Sequence, residues 1–197
     1  VDKPPGLLSV PGKGEANQDC VVSRLREHLP EATGPLVVHR LDMDTSGLLL
    51  LGLDPVAQRD LSAQFELRTV RKAYVALVEG VVAGESGIID APMRADIAHR
   101  PMQIIDPVQG RAAQTRWRLL AIETDRSRLA LEPQTGRTHQ LRLHLAHIGH
   151  PILGDVLYGP GTGTAPHRLC LHATELEFDE PGPRERTRIL VRSPVPF

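Results

Sequence analysis

The stretch HRLDMDTSGLLLLGL, residues 39–53, places a His-Arg pair and two aspartates at the junction of two apolar runs. These runs, PLVV before the stretch and GLLLLGL at its end, have the composition of buried β-strands. An unpaired charge inside a core is costly, so HRLDMDTS is predicted to form a surface connection in which Thr45, Ser46 and Gly47 supply the turn. Asp42 is therefore expected on a loop at the end of a buried strand.

Two structural roles explain this acidic loop without any chemistry. Asp42 or Asp44 can cap the turn with its carboxylate, as short acidic side chains often do. Arg40 and Asp42 can also form an ordinary ion pair, because side chains two residues apart on an extended segment face the same way. A functional carboxylate is the third interpretation, and the loop alone does not choose among the three.

The size and composition of the chain predict one domain spanning residues 1–197. Of these residues 41% are hydrophobic and 24% are charged, which is enough for one substantial core. The longest apolar run is far shorter than the roughly 20 residues needed to cross a bilayer, which argues against a membrane role. Cys20 and Cys170 match neither a disulfide framework nor a metal-binding pair, which favours a reducing, cytoplasmic setting. The chain does not begin with methionine, so an incomplete N-terminus is expected.

Strands outnumber helices in the predicted order of elements. Helices are predicted in NQDCVVSRLREHL with Asp19 as its cap, in DPVAQRDLSAQFEL with Asp54 and Pro55 at its start, and in THQLRLHLAHIG with Gly149 at its end. Strands are predicted in VRKAYVALVEGVV, RAAQTRWRLLAIE, SRLALEP and LCLHATELEF. This order mixes hairpins with isolated helices, which predicts an α+β fold rather than a doubly wound one.

Positive charge is carried almost entirely by arginine and is clustered, although the net charge is −1. Guanidinium groups suit phosphates and stack on bases, so these clusters are compatible with RNA binding. A genome that prefers arginine codons explains the same composition, and composition alone does not decide between the two. The clusters are Arg68, Arg71 and Lys72; Arg111, Arg116 and Arg118; and Arg137 and Arg142.

A second dense stretch, EPQTGRTHQLRLHLAHIGHPILGDVLYG, covers residues 132–159. Arg137 and Arg142 lie near the start of its predicted helix, where the helix dipole favours anions. A carboxylate or phosphate is therefore expected opposite them. The histidines at positions 139, 144, 147 and 150 raise a metal site as an alternative. The HExxH pattern is absent, so neutral histidines near a core are the preferred interpretation.

The glycine-rich segment GPGTGTAPH, residues 159–167, is a candidate phosphate-binding loop. It lacks the lysine and the strand-to-helix context of such loops, so a mobile surface loop is the preferred interpretation.

Three motifs in the chain carry a resemblance to a known family. HRLDMDTSG at 39–47, RKAYVALVEG at 71–80 and GRTHQLRLHLAHIGHPILGDVLYG at 136–159 occur in order, preceded by DKPPGLLSVPG and followed by LHATELEF. Together they resemble the RluA family of RNA pseudouridine synthases over nearly the whole chain. The first and third motifs are too long for chance agreement.

The resemblance implies a role for each matched position. Asp42 matches the catalytic aspartate, and Tyr74 matches the active-site tyrosine that packs on the target base. Arg142 matches the arginine that pairs with the aspartate, and Arg40 matches the one that helps displace the target nucleotide from its stack. In the segment GRAAQT, Arg111 occupies a position where lysine is more usual in the family. Further RNA contacts are implied at these positions: His39, Arg71, Lys72, Arg111, Arg137 and His139.

The resemblance also implies the fold and the reaction. The expected fold is α+β, with a mixed, mostly antiparallel central sheet, flanking helices and an active-site cleft. The expected reaction is the isomerisation of uridine to pseudouridine in RNA, by a monomer that needs no metal and no nucleotide cofactor. No S4-like RNA-binding domain is visible in this sequence. In this respect the chain resembles the compact members of the family, which act on both ribosomal RNA and the anticodon stem-loop of transfer RNA.

Two other functions remain open from the residues. One is a catalytically silent RNA-binding protein on the same scaffold, against which the intact Asp42, Tyr74 and Arg142 argue. The other is a metal-dependent hydrolase that uses the histidine-rich helix.

Overall fold

A computed structural model describes residues 1–159, 168–182 and 186–197. The segment considered above as a phosphate-binding or mobile loop lies outside this described part, apart from Gly159. Within it, no helix has the length and apolar character required to span a membrane.

The described residues form three α-helices and ten β-strands, so the α+β class and the mostly antiparallel sheet are confirmed. The helices are α1 Val21–His28, α2 Pro55–Glu66 and α3 Gln140–His147. The strands are β1 Asp2–Lys3, β2 Ser46–Leu48, β3 Arg71–Glu79, β4 Ser86–Asp90, β5 Met93–Ala95, β6 Gln103–Ile105, β7 Gln114–Glu123, β8 Arg126–Pro133, β9 Leu171–Asp179 and β10 Arg188–Arg192.

The chain divides into two compact units. The first comprises Val1–Lys72 and His172–Pro196, and the second comprises Ala73–Leu171 with the C-terminal residue. The prediction of one domain over residues 1–197 is not tested by this division and stays a prediction.

The first unit has a mixed arrangement of strands. Strand β2 pairs antiparallel with β1 and parallel with β9, and β9 pairs antiparallel with β10. Gly47 is required at the close approach of β2 to β9, because it has a φ of 108° and a Cβ there would lie 2.3 Å from the carbonyl oxygen of Ala173. Helix α2 packs on these strands through a cluster of buried side chains: Leu48, Leu61, Val70, Leu176 and Phe178. A second cluster surrounds α1: Cys20, Val22, Ala32 and Leu36.

The second unit is an antiparallel sheet in the order β3–β8–β7–β4, with the β5–β6 hairpin and helix α3. Tyr74 of β3 lies opposite Leu131 of β8. Helix α3 is anchored by Leu143, which packs against Met93 and Ala113. The four long predicted strands are confirmed as β3, β7, β8 and β9, whereas the short strands β4, β5, β6 and β10 were not predicted.

All three predicted helices are confirmed, with one correction to a cap. Asp54 caps α2 by accepting the N–H groups of Val56 and Ala57 at 2.8 and 2.9 Å. The N-cap of α1 is Cys20 and not Asp19: its Sγ accepts the N–H of Ser23 at 3.3 Å. Asp19 lies one residue too early and forms an ion pair with Arg24 instead.

The prediction of two buried strands is wrong for PLVV and for most of GLLLLGL, although Gly47 and Leu48 at the start of the second run lie in the buried strand β2. Only one isolated antiparallel bridge, between Val37 and Leu51, joins the two runs. Side chains take the place of ladder partners, because Gln58 donates to the carbonyl oxygen of Val37 and His39 accepts the N–H of Leu50. The predicted turn is displaced as well, since Ser46 and Gly47 belong to strand β2.

Candidate functional site

The loop that carries Asp42 is fixed through its backbone. The ammonium group of Lys3, a residue that is only 1% exposed, donates to the carbonyl oxygens of Pro4, Leu7 and Met43 at 2.9, 2.8 and 2.7 Å. The hydroxyl of Ser9 donates to the carbonyl oxygen of Leu41 at 2.7 Å and accepts the N–H of the same residue at 3.1 Å. The backbone on both sides of Asp42 is therefore held by buried side chains from the start of the chain.

The carboxylate of Asp42 has no such engagement. Among the residues of its own unit that the structure describes, it accepts no hydrogen bond and forms no ion pair. The turn is closed by the backbone carbonyl of Asp42, which accepts the N–H of Thr45 at 3.2 Å. Arg40 is exposed and forms no ion pair with Asp42. Neither structural role considered for the Asp42 carboxylate is therefore observed.

His39, the residue before Arg40, is held as a neutral ring. Its Nε2 accepts the N–H of Leu50 at 2.9 Å, and the ring stacks on Phe65 with 4.4 Å between centroids. Burial, followed by the positive charge of Lys72, lowers the pKa of His39 from 6.5 to about 3. His39 is therefore neutral at physiological pH.

We expect His39 to make stability depend on pH. Its pKa is lower in the folded state than in the unfolded one, so the unfolded state binds more protons between pH 6.5 and about 3. The free energy of unfolding should fall as the pH falls through this window. Protonation of His39 should lower it by about 2 kcal/mol between pH 7 and pH 5.

Urea unfolding at both pH values, for the native protein and for His39→Gln, measures this contribution. Glutamine can accept the same N–H but does not titrate, so the variant should lose less stability. An equal loss in both proteins would contradict this account of His39.

In the second unit, Arg142 is paired with Asp155, a residue that no sequence pattern had indicated. Its Nε and Nη2 donate to Oδ2 and Oδ1 of Asp155 at 2.7 and 2.6 Å, and the two side chains are 3% and 0% exposed. Asp155 is held in turn by the N–H groups of Leu157 and Tyr158, at 2.9 and 3.1 Å. The expected carboxylate near the helix arginine is thus present, and a pairing of Arg142 with Asp42 stays a prediction.

Tyr158 also lies at this pair. Its ring centroid is 5.5 Å from Cζ of Arg142. Its hydroxyl accepts the N–H of Gln103 at 2.8 Å and lies 2.9 Å from Nδ1 of His139. Tyr158 therefore links the β5–β6 hairpin to the start of helix α3. The motif GDVLYG supplies both Asp155 and Tyr158, so the spacing of its polar residues was the signal that could have pointed to them.

The remaining predicted residues of this unit lie on the sheet and on the loop before α3. Tyr74 is buried on β3. Nε of Arg137 donates to the carbonyl oxygen of Ala112 at 3.2 Å, which connects the loop before α3 with the segment that carries the exposed Arg111. Gln140, also missed in the sequence, orders this loop by accepting the N–H of Arg137 and the hydroxyl of Thr135 at 3.0 and 2.7 Å.

Three of the four histidines considered as metal ligands, His139, His144 and His150, make hydrogen bonds inside the fold, whereas His147 is exposed. His144 is buried, its Nε2 donates to the carbonyl oxygen of Ala91, and burial lowers its pKa. Nδ1 of His150 donates to the carbonyl oxygen of Glu79 at 2.8 Å. Throughout the described part of the chain, no three histidine, cysteine or acidic side chains come together as a possible metal site.

Comparison with known proteins shows which family the chain belongs to. The model of the RNA pseudouridylate synthase family matches residues 1–147. The dual-specificity RNA pseudouridine synthase RluA of Yersinia pestis is 43% identical over 183 residues, which are 92% of this chain and 87% of the relative. The protein of the same name from Escherichia coli K12 is 42% identical over 183 residues, 92% of this chain and 82% of the relative.

Solved structures agree with the sequence relatives. Human RNA pseudouridylate synthase domain containing 1 has a TM-score of 0.77 at 33% identity, covering 90% of this chain and 75% of its own. Human RNA pseudouridylate synthase domain containing 4 has a TM-score of 0.76 at 24% identity, covering 100% and 84%, and supports the fold alone. The resemblance seen in the motifs is confirmed: the chain belongs to the RNA pseudouridylate synthase family.

Proposed function

We propose that this chain isomerises specific uridines to pseudouridines in structured RNA, with Asp42 as the catalytic carboxylate. The observation that carries the proposal is the state of Asp42: its backbone is fixed from both sides, while its carboxylate has no partner among the described residues of its own unit. In a preorganised site, buried hydrogen bonds hold the backbone of a reactive residue and leave its functional group available to the substrate. Neither a silent RNA-binding protein nor a metal-dependent hydrolase finds support in the comparisons.

The reaction requires no exchange of atoms or electrons with another molecule. The bond from N1 of uracil to C1′ breaks, the bond from C5 to C1′ forms, C5 loses its proton and N1 gains one. We therefore propose that no metal and no nucleotide cofactor takes part. The protein has to extract the nucleotide, hold the detached base while it turns, and shuttle one proton.

Four side chains are proposed for these steps. Arg40 is exposed beside the catalytic loop and can occupy the gap left by the flipped nucleotide, offsetting an unstacking cost of a few kcal/mol. Asp42 attacks the substrate or removes a proton from it in its ionised form. Tyr74 provides an aromatic face on which the uracil can turn. Arg142 favours the charged form of Asp42.

The remaining contacts are proposed for RNA recognition. Structured RNA is read through its shape, its phosphates and its splayed bases, which suits a set of basic and aromatic side chains better than a sequence-reading helix. The proposed contacts are His39, Arg71, Lys72, Arg111, Arg137 and His139.

The substrate is proposed to be ribosomal RNA, the anticodon stem-loop of transfer RNA, or both. Support comes from the identity of about 42% over 92% of the chain to relatives named dual-specificity RNA pseudouridine synthases. We further propose that residues 1–197 act as one catalytic domain, that the protein is a monomer and that it works in the cytoplasm. The match of the family to residues 1–147, which spans parts of both compact units, supports the single domain.

Mapping pseudouridine in total RNA from cells with and without the gene tests the reaction and the target together. We expect specific pseudouridines to disappear from transfer RNA, ribosomal RNA or both, and to return when the native gene is restored. A gene encoding Asp42→Asn should not restore them. An identical pseudouridine map with and without the gene would refute the proposed function.

A further inference from the structure

The end of helix α2 carries a basic cluster that the four catalytic roles do not use. Helix α2 ends at Glu66, Arg68 follows two residues later, and Lys72 lies at the start of β3. Nζ of Lys72 lies 5.8 Å from the ring centroid of Phe65, and the ring of His39 stacks on the same phenylalanine. Phe65 thus joins the basic cluster to the residue that precedes Arg40.

Arg68 occupies a backbone position that normally favours glycine. Its φ is 59°. The N–H of Arg68 donates to the carbonyl oxygen of Phe65 at 3.2 Å, and the N–H of Thr69 donates to the carbonyl oxygen of Gln64 at 3.0 Å. These two bonds form a Schellman motif, in which the left-handed residue is usually glycine because a side chain is disfavoured there. A cation is favourable near the C-terminal end of a helix because of the helix dipole, which explains the positive charge of Arg68 just after α2. The dipole does not explain Lys72, which lies in strand β3.

Within the part of the chain that the structure describes, the two cations have no acidic partner. Arg68 is exposed and Lys72 is half-buried, and in the described part of the chain neither forms an ion pair. Burial, and then the charge of Arg68, lowers the pKa of Lys72. Other arginines of the same unit do have acidic partners, including Arg71 with Glu177. The positive charges of Arg68 and of the partly buried Lys72 repel each other, and a bound anion would offset this repulsion.

We propose that Arg68 and Lys72 together bind one phosphate of the RNA substrate, with Phe65 supporting the lysine stem. A phosphate accepts from both side chains, and its charge offsets the repulsion between them. The inference rests on the proposed function for the identity of the ligand as RNA. It adds Arg68 and Phe65 to the RNA-binding surface and places a backbone contact beside the loop of His39 and Arg40.

The substitution Arg68→Gly separates binding from stability. Glycine suits the left-handed position, so the variant should unfold at the same temperature as the native protein or at a higher one. If Arg68 contacts a phosphate, the same variant should bind RNA more weakly. A residue with a purely structural role cannot produce these opposite effects.

The measurement is the dissociation constant of an unmodified transfer RNA transcript at a series of KCl concentrations. One lost phosphate contact lowers the slope of log affinity against log salt by about 0.7 to 0.9. We expect this decrease for Arg68→Gly and for Lys72→Met, and no further decrease for the double variant, because the proposed contact requires both residues and is already lost in each single variant. Arg59→Gln, which removes an exposed charge from the same helix, is the matched control and should leave the slope unchanged.

The outcomes distinguish this inference from the proposed function. An unchanged slope in Arg68→Gly, or an equal decrease in Arg59→Gln, would overturn the phosphate site while leaving isomerisation by the native protein intact. Two separate decreases that add in the double variant would overturn the single shared phosphate. Absence of pseudouridine formation by the native protein would instead refute the function on which the choice of RNA rests.

Discussion

Asp42→Asn is expected to abolish isomerisation while leaving the fold and RNA binding intact. Removing an essential catalytic side chain commonly reduces the rate by about 10⁴-fold or more. The asparagine has the size and shape of the aspartate but cannot act as an ionised nucleophile or base. Because the carboxylate of Asp42 makes no hydrogen bond and no ion pair among the described residues of its own unit, its loss should change the free energy of unfolding by less than about 0.5 kcal/mol.

Asp44→Asn is the matched control for this prediction. Asp44 belongs to the same turn and is similarly half-buried, and the same charge is removed two residues away. Single-turnover pseudouridine formation and the dissociation constant for RNA should be measured for both variants. Substantial turnover in Asp42→Asn would show that the assigned role is wrong. An equal loss of rate in both variants would show that the charge of the loop matters, and not this particular carboxylate.

Local sequence signals predicted the helices and the long strands because those signals are themselves local. The Asp54–Pro55 start of α2 is contained in two adjacent residues, and the helix is found where it was expected. The runs around the HRLD motif were interpreted less well, because their backbone groups are satisfied by side chains far along the chain. Gln58 reaches Val37, and the ring of His39 reaches Leu50. Composition does not reveal such partners.

The candidate site divides in the same way. The proposed catalytic positions come from the resemblance of whole motifs, whereas periodicity alone left Asp42 as an ordinary turn residue or ion-pair partner. The residues that hold the site were missed, because each acts across a distance that no short pattern covers. Lys3 donates to a carbonyl 40 residues away, and Asp155 pairs with an arginine 13 residues before it. Supporting residues of this kind become visible only in three dimensions.

Loss of Arg142 is expected to have two effects that must be separated. The first is a large loss of rate, because Asp42 would lose the positive charge proposed to favour its ionised form. The second is a loss of stability, because Asp155 is fully buried and would be left without its partner. Breaking a buried ion pair from one side costs about 3 to 5 kcal/mol. Arg142→Met should therefore be slow and also less stable.

The double variant Arg142→Met/Asp155→Asn distinguishes the two effects. The asparagine that replaces Asp155 is uncharged and can still accept the N–H groups of Leu157 and Tyr158, so the buried charge disappears while the turn is kept. Urea unfolding should show that much of the lost stability returns. Single-turnover rates should stay low, because no guanidinium is present. Recovery of the rate together with the stability would mean that Arg142 serves the fold and not the reaction.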